Sequence, residues 1–152
     1  MSIQEEAIRS TFGALVAQTA RLWRREVDRE LQPFGLTEAT WLPLLRLSRA
    51  AEPMRQKDLA ASLSLDGSSV VRLIDTLEAA GLVERRETEE DRRAKAILLT
   101  KAGQKTVEQV ETVAAEVRDR VLADVPKADL EAAARTLERI SRALSTAEES
   151  VA

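Results

Sequence analysis

The chain has no cysteine and no histidine. Without a thiolate there is nothing for thiol-based redox sensing to oxidise. Without either residue, Cys/His metal centres are excluded, zinc sites among them, and so is nucleophile–histidine catalysis. No Gly-rich phosphate loop and no distinct paired-carboxylate motif stands out, so neither an enzyme nor a bound cofactor is expected. Glycine and proline are scarce, five and four in 152 residues. With abundant Ala, Leu, Glu and Arg, that scarcity predicts a mainly helical protein. No apolar run approaches the ~18–20 residues needed to cross a membrane. No basic segment followed by an apolar one opens the chain. The expectation is a cytoplasmic protein with no membrane partner, of one domain or one domain plus a dimerisation extension.

What the chain does contain is organised around residues 56–100. Leu59 and Leu63 stand four apart and share a helix face. Val70, Leu73, Ile74 and Leu77 repeat that pattern in a second short helix. Ala60 is small where the two helices would cross. Ser64 occupies the turn, where a left-handed backbone favours glycine. Asp66 is placed to cap the second helix by accepting N–H bonds from Ser68 or Ser69. Gly81 is placed to end it. Residues 82–86 and 96–99 then read as two strands, joined by a polar loop over 87–93. Thr100 stands ready to cap the next helix. The order helix, turn, helix, strand, loop, strand is that of a winged helix-turn-helix, an α+β unit within a mainly α chain.

The run Asp91-Arg92-Arg93-Ala94-Lys95-Ala96-Ile97-Leu98-Leu99-Thr100 resembles the DxRxxxxxLT wing signature of the MarR family of transcription factors. Ser69-Val70-Val71-Arg72, Trp23-Arg24 and Leu36-Thr37-Glu38-Ala39-Thr40-Trp41 are similar to its SlyA branch. The resemblance covers about 16–144. It implies a homodimer with an all-helical interface. It also implies a double-stranded DNA partner and a sequence-specific regulator, with repression the expected sense. An alternative is a winged-helix dimer that binds another protein and has lost specific DNA binding. The acidic balance supports that alternative, since the net charge is −3. Of the 23 basic and 26 acidic residues, 11 and 10 fall between Arg46 and Lys101, leaving that part at +1 and the rest at −4.

Outside the reader the chain is helical. Residues 4–31 read as one long helix with a broad apolar stripe, ended by Pro33 and Gly35. Thr37 is the expected N-cap of the next, with Leu36 and Trp41 as a hydrophobic staple. Pro43 predicts a bend or an early-turn position. Residues 50–53 form a connection. After Thr100, Val107, Val110, Ala114, Val117 and Val121 form a heptad seam. Pro126 interrupts it, and Leu130, Ala133, Leu137, Ile140 and Leu144 resume it. The first helix and the last two are expected to pack against a second copy. The domain reading is a helical dimerisation region over 1–34 and 101–148, a winged helix-turn-helix over 35–100, and a flexible tail at 149–152.

The candidate DNA contacts follow from this layout. Gly67, Ser68, Ser69 and Arg72 lie opposite the apolar side of the second helix, and Arg72 has the fork to span guanine O6 and N7. Gln56 and Lys57, opening the preceding helix, are placed for phosphates. Arg92 and Arg93 at the wing tip are candidates for the minor groove, beside Glu89, Glu90 and Asp91. The resemblance implies that Asp91 and Arg93 brace the hairpin as a pair, which leaves Arg92 to reach DNA. Arg85, Arg86 and Lys95 are weaker phosphate candidates. The resemblance further implies a small aromatic or phenolic effector. Phe12, Trp23 and Trp41 would line its cleft, Arg21 would meet a carboxylate, and Thr37 fits the SlyA-like pattern. Gln18 and Thr40 replace an arginine and a histidine expected in that branch.

Overall fold

The computed structural model describes residues 1–88 and 91–149; side chains at 88, 91–94, 148 and 149 lie outside that description. Among the described residues six α-helices and three strands follow one another as α1 (Ile3–Leu31), α2 (Glu38–Arg49), β1 (Met54–Arg55), α3 (Gln56–Leu63), α4 (Gly67–Ala79), β2 (Val83–Thr88), β3 (Asp91–Leu99), α5 (Lys101–Val121) and α6 (Lys127–Glu149). One compact unit runs from Met1 to Val117 and a second begins at Arg118. The mainly α architecture with a small antiparallel sheet agrees with the sequence.

Helix boundaries are set by local chemistry. Ser2 caps α1 by accepting from the Glu5 N–H. A 3-10 turn over Gln32–Phe34 leads to Gly35 at φ 72, the left-handed stop that Pro33 and Gly35 foretold. Thr37 occupies the N-cap of α2, yet its hydroxyl makes no capping bond and lies 3.4 Å from Thr40 Oγ1 instead. Pro43 falls in the second turn of α2 rather than the first. It is buried there, and its ring leaves the Ala39 carbonyl without the usual helical donor. Ser64 adopts φ 53, the single left-handed non-glycine among the described residues. At the end of α4 the Leu82 N–H reaches the Leu77 carbonyl and the Gly81 N–H reaches Glu78, both with Gly81 at φ 74. That is the Schellman arrangement, and it turns the chain straight into the wing.

The sheet differs from the expected hairpin in two ways. Its order is β1-β3-β2, so a third strand, Met54–Arg55, pairs with Ile97 and Ala96. Two residues carry too little periodicity to announce a strand. The hairpin is also longer than expected. Glu87 and Thr88 belong to β2 and Asp91–Leu99 to β3, with a register shift between Glu87 and Thr88. Strand pairing uses backbone groups, so it continues past the last apolar side chain into charged sequence.

Two apolar clusters hold the first unit together. Leu44, Leu59, Val70, Ile74, Leu77, Val83, Ile97 and Val107 form one. Val27, Leu31, Trp41, Leu45, Val110, Val113 and Val117 form the other. Burying each such side chain contributes roughly 1.5–3 kcal/mol. α2 and α5 each give residues to both clusters. The seam expected on α5 is therefore covered largely by its own chain, and Val113 rather than Ala114 is buried, while Val121 is exposed. Residues three and four apart share a face, so either spelling satisfies the pattern; only the position of α1 and α2 selects Val113.

Exposed apolar residues remain elsewhere. Ile8, Leu15 and Leu22 on α1 recur every seven residues, each more than half exposed. On α6, Leu130, Leu137 and Leu144 recur every seven and are exposed with Ile140. The tail expected at 149–152 gives way to helix as far as Glu149, and residues 150–152 lie outside the described residues.

One hydroxyl ties the end of α4 to α5. Thr100 Oγ1 donates to the Gly81 carbonyl at 2.6 Å and accepts from the Gly103 N–H at 3.0 Å. Thr100→Val keeps the shape and strands both partners. We expect a loss of about 1–2 kcal/mol in urea denaturation, with Thr100→Ser near wild type. Equal stability in Val and wild type would show that water replaces both bonds.

Candidate nucleic-acid interface

α4 presents two opposite sides. Val70, Ile74 and Leu77 are buried in the first cluster, while Gly67, Ser68, Ser69 and Arg72 are exposed. The helix is thus anchored by one face and offers the other. Among the described residues no ion pair holds Arg72. A Cβ added at Gly67 meets nothing within 4 Å, so the backbone at the start of α4 is open to close approach.

The start of α4 is nevertheless occupied by the chain's own carboxylate. Asp66 Oδ1 accepts from the Ser69 N–H at 2.7 Å and from the Ser68 hydroxyl at 2.8 Å. The expected cap is therefore made through Ser69. Ser68, a candidate for phosphate or base, has its donor turned inward to Asp66. These bonds, first the Ser69 N–H and then the Ser68 hydroxyl, hold the Asp66 carboxyl below the usual carboxylate range. A group depressed in the folded state stabilises fully above its unfolded value and loses that share as pH falls through the folded one. Asp66→Asn caps without a charge. It is expected to remove this share of acid sensitivity, read from denaturation midpoints taken from neutral pH downward; an unchanged pH profile would show the cap is already made in the unfolded chain.

Gln56 and Lys57 open α3, Gln56 partly buried and Lys57 exposed. Asp58 accepts from the Arg55 N–H at 2.9 Å and orders that helix start, a role its spacing left unnoticed. Lys95 is exposed on β3. The side chains of Arg92 and Arg93, and the Asp91–Arg93 pair, lie outside the described residues, as do Glu89 and Glu90. Two of the weaker phosphate candidates are engaged elsewhere. Arg86 pairs with Glu84 at 2.6 Å. Arg85 is held by Asp75 at 2.6 Å and Glu78 at 2.8 Å, which removes it from the free cations of the wing. Sequence spacing does not reveal this, because the strand and helix meet only after the Schellman turn.

The residues proposed for an effector fall in different surroundings. Trp41 is 2% exposed inside the second cluster, and its indole N–H donates to Asp28 Oδ1 at 3.0 Å. Trp23 packs against the same cluster. Phe12 is half-buried three turns earlier on α1; Arg21 and Thr37 are exposed. A separate groove of about 600 Å³ lies between the end of α2, the strands and Gln104, with Arg86 and Glu84 on its wall. Among the described residues no helix is long and apolar enough to cross a membrane. Among them also, no cluster of carboxylates could hold a metal.

Known proteins share this arrangement. A model of the MarR family matches residues 34–94. The transcriptional regulator PA3341 is 41% identical, over 89% of this chain and 98% of that one, with a TM-score of 0.82. AbsC, a MarR family transcriptional regulator from Streptomyces coelicolor, is 28% identical over 96% and 97%, with a TM-score of 0.76. CouR from Rhodococcus jostii RHA1, solved bound to p-coumaroyl-CoA, is 28% identical over 88% and 93%, with a TM-score of 0.74. With its anchored α4, its wing and these relatives, the chain belongs to the MarR family of winged-helix, DNA-binding transcriptional regulators.

Proposed function

We infer that this regulator reads pseudo-palindromic duplex DNA as a homodimer, represses transcription, and is released by a small aromatic or phenolic ligand. The observation that carries the reading is the two-sided α4, with an exposed Arg72 opposite three buried anchors. An arginine so placed matches the guanine edge in a major groove. Residues 35–100 form the reader, and 1–34 with 101–148 the dimerising part. The heptad-spaced Ile8, Leu15 and Leu22, and likewise Leu130, Leu137 and Leu144, support the dimer. Exposed leucines at that spacing want a helical partner. A two-fold dimer would read half-sites about one helical turn apart.

The contact set is Gln56, Lys57, Gly67, Ser68, Ser69, Arg72, Arg92, Arg93 and Lys95. The effector reading rests on Phe12, Arg21, Trp23, Thr37 and Trp41, and on CouR, whose bound p-coumaroyl-CoA carries a phenol. With Trp41 buried, a ligand would meet Trp23 first and reach Trp41 only as α1 and α2 part. Release also requires that the ligand prefer one of two conformations. The SlyA-like assignment rests on Trp23-Arg24, the 36–41 segment and Ser69–Arg72.

Fluorescence anisotropy tests the reading, using duplex DNA from immediately upstream of the protein's own reading frame, a scrambled duplex and a salt titration. Tight, salt-sensitive binding that prefers the native duplex is expected. No binding at low salt would favour a protein-interaction module. In the same assay Arg92→Ala should weaken both duplexes and lower the salt slope by about one unit per lost phosphate contact. An unaltered slope would leave the wing tip merely solvated.

A further inference from the structure

Arg85 stands two residues beyond Val83 along β2, and its register partner is Ile97. Val83 and Ile97 are both buried against α4, so Arg85 leaves the strand on the same side. Its side chain is only 20% exposed. Nη1 donates to Glu78 Oε1 at 2.8 Å and Nη2 to Asp75 Oδ1 at 2.6 Å. Its own backbone N–H donates to Glu78 Oε2 at 3.1 Å. One arginine thus grips two carboxylates a turn apart on α4, and one of those carboxylates grips the strand in return.

Asp75 and Glu78 continue a stripe that begins at Arg72, since all three stand at three-residue spacing. Both carboxylates are well exposed, so the pairing adds little to stability. Its product is geometric. A guanidinium fork fixes two directions at once, which an ammonium cannot do. The fork therefore sets the roll of α4 against the wing strand at the turn next to Arg72.

We propose that Arg85 is a positioning residue for DNA readout: it locks the roll of α4 to the wing, so that Arg72 and the hairpin meet one half-site in a fixed relation. It touches no DNA itself. This rests on the DNA-reading function above. Discrimination between bases needs the reading side chain held near its productive geometry by its supports. Two carboxylates left unheld beside the helix would also repel phosphates, so electrostatics and positioning have to be separated by experiment.

The test uses the full chain. The wild-type protein selects a duplex from a randomised pool, and anisotropy measures its preference for that duplex over a scrambled one. Arg85→Ala is measured beside the double variant Asp75→Asn, Glu78→Gln, which breaks the same grip from the other side. In both we expect the preference to fall about tenfold, the size of one weakened base contact. The ratio is unaffected by partial unfolding, which scales both affinities alike. Arg85→Lys, reaching one carboxylate at a time, should fall between. The proposal is overturned if Arg85→Ala weakens both duplexes equally and lowers the salt slope by about one unit, the mark of a phosphate contact. It is equally overturned if the carboxylate variant binds both duplexes more tightly with its preference intact, the mark of simple repulsion. A wild-type protein that selects no sequence would instead defeat the DNA reading itself, and this inference with it.

Discussion

Gly103→Ala is expected to destabilise the protein by about 3 kcal/mol, against the sign that helix propensity gives. Gly103 lies in the first turn of α5, where alanine ordinarily stabilises by up to ~1 kcal/mol. Here, however, an added Cβ would sit 2.0 Å from the Leu82 carbonyl oxygen, 3.1 Å from its carbon and 3.3 Å from Leu99 Cδ2. The first obstacle is backbone and cannot rotate away. That carbonyl also accepts the Thr100 N–H at 3.1 Å, so moving it aside sacrifices a hydrogen bond. Moving α5 instead disturbs Val107 and Val110, which are buried in different clusters. Overpacking at this point therefore outweighs propensity. The midpoint of thermal unfolding should fall by about 10 °C for a chain of this size. Gly13→Ala is the matched control. Its Cβ meets nothing within 4 Å in the middle of α1, so it should stabilise by about 0.5–1 kcal/mol. Two gains of similar size would mean that α5 does not approach the turn this closely.

The second large effect is on recognition. Arg72→Ala should leave stability within about 0.5 kcal/mol, since the side chain is exposed and its α4 anchors are untouched. It should nevertheless cost roughly 1–3 kcal/mol of base discrimination at each half-site. A two-fold dimer carries the loss twice, so preference for a palindromic site over a scrambled one should fall by roughly 2–6 kcal/mol. Non-specific affinity should change little. Competition anisotropy with the two duplexes measures both quantities. Unchanged preference with a shallower salt slope would make Arg72 a phosphate contact and move base reading elsewhere on α4.

Both predictions show where sequence is informative. Asp66, Gly81 and Thr100 announced themselves because a cap or a left-handed stop depends on neighbours within a turn. Their bonds to Ser69, Glu78 and Gly103 reach three residues at most. The bounds of α1, α3 and α4 follow from the same local chemistry. What was not legible depends on distant contacts. Met54–Arg55 becomes a strand only because β3 runs beside it. Val113 displaces Ala114 in the core only because α1 and α2 lie on its side. Arg85 read as a free cation until α4 supplied two carboxylates from ten and seven residues upstream. Gly103 offered a hint, a glycine in the opening turn of a helix, without saying what approaches it. That Arg72 and Gly67 lie on the exposed side of α4 was legible from the three-four spacing of Val70, Ile74 and Leu77, whereas the inward turn of the Ser68 hydroxyl required the cap to be seen made.

The Thr100 joint has a consequence for how a signal could travel. The end of α4, the carbonyl of Leu82 and the first turn of α5 are held by three bonds and one steric stop between Thr100 and Gly103. A joint so confined behaves as a weld rather than a hinge. Tilting α5 would carry the reading helix with it as one lever arm, turning a small angular change into a displacement at the far end. In the homodimer proposed above, the spacing between the two α4 helices would then be a property of the shafts that bear them, with the heads themselves left undeformed.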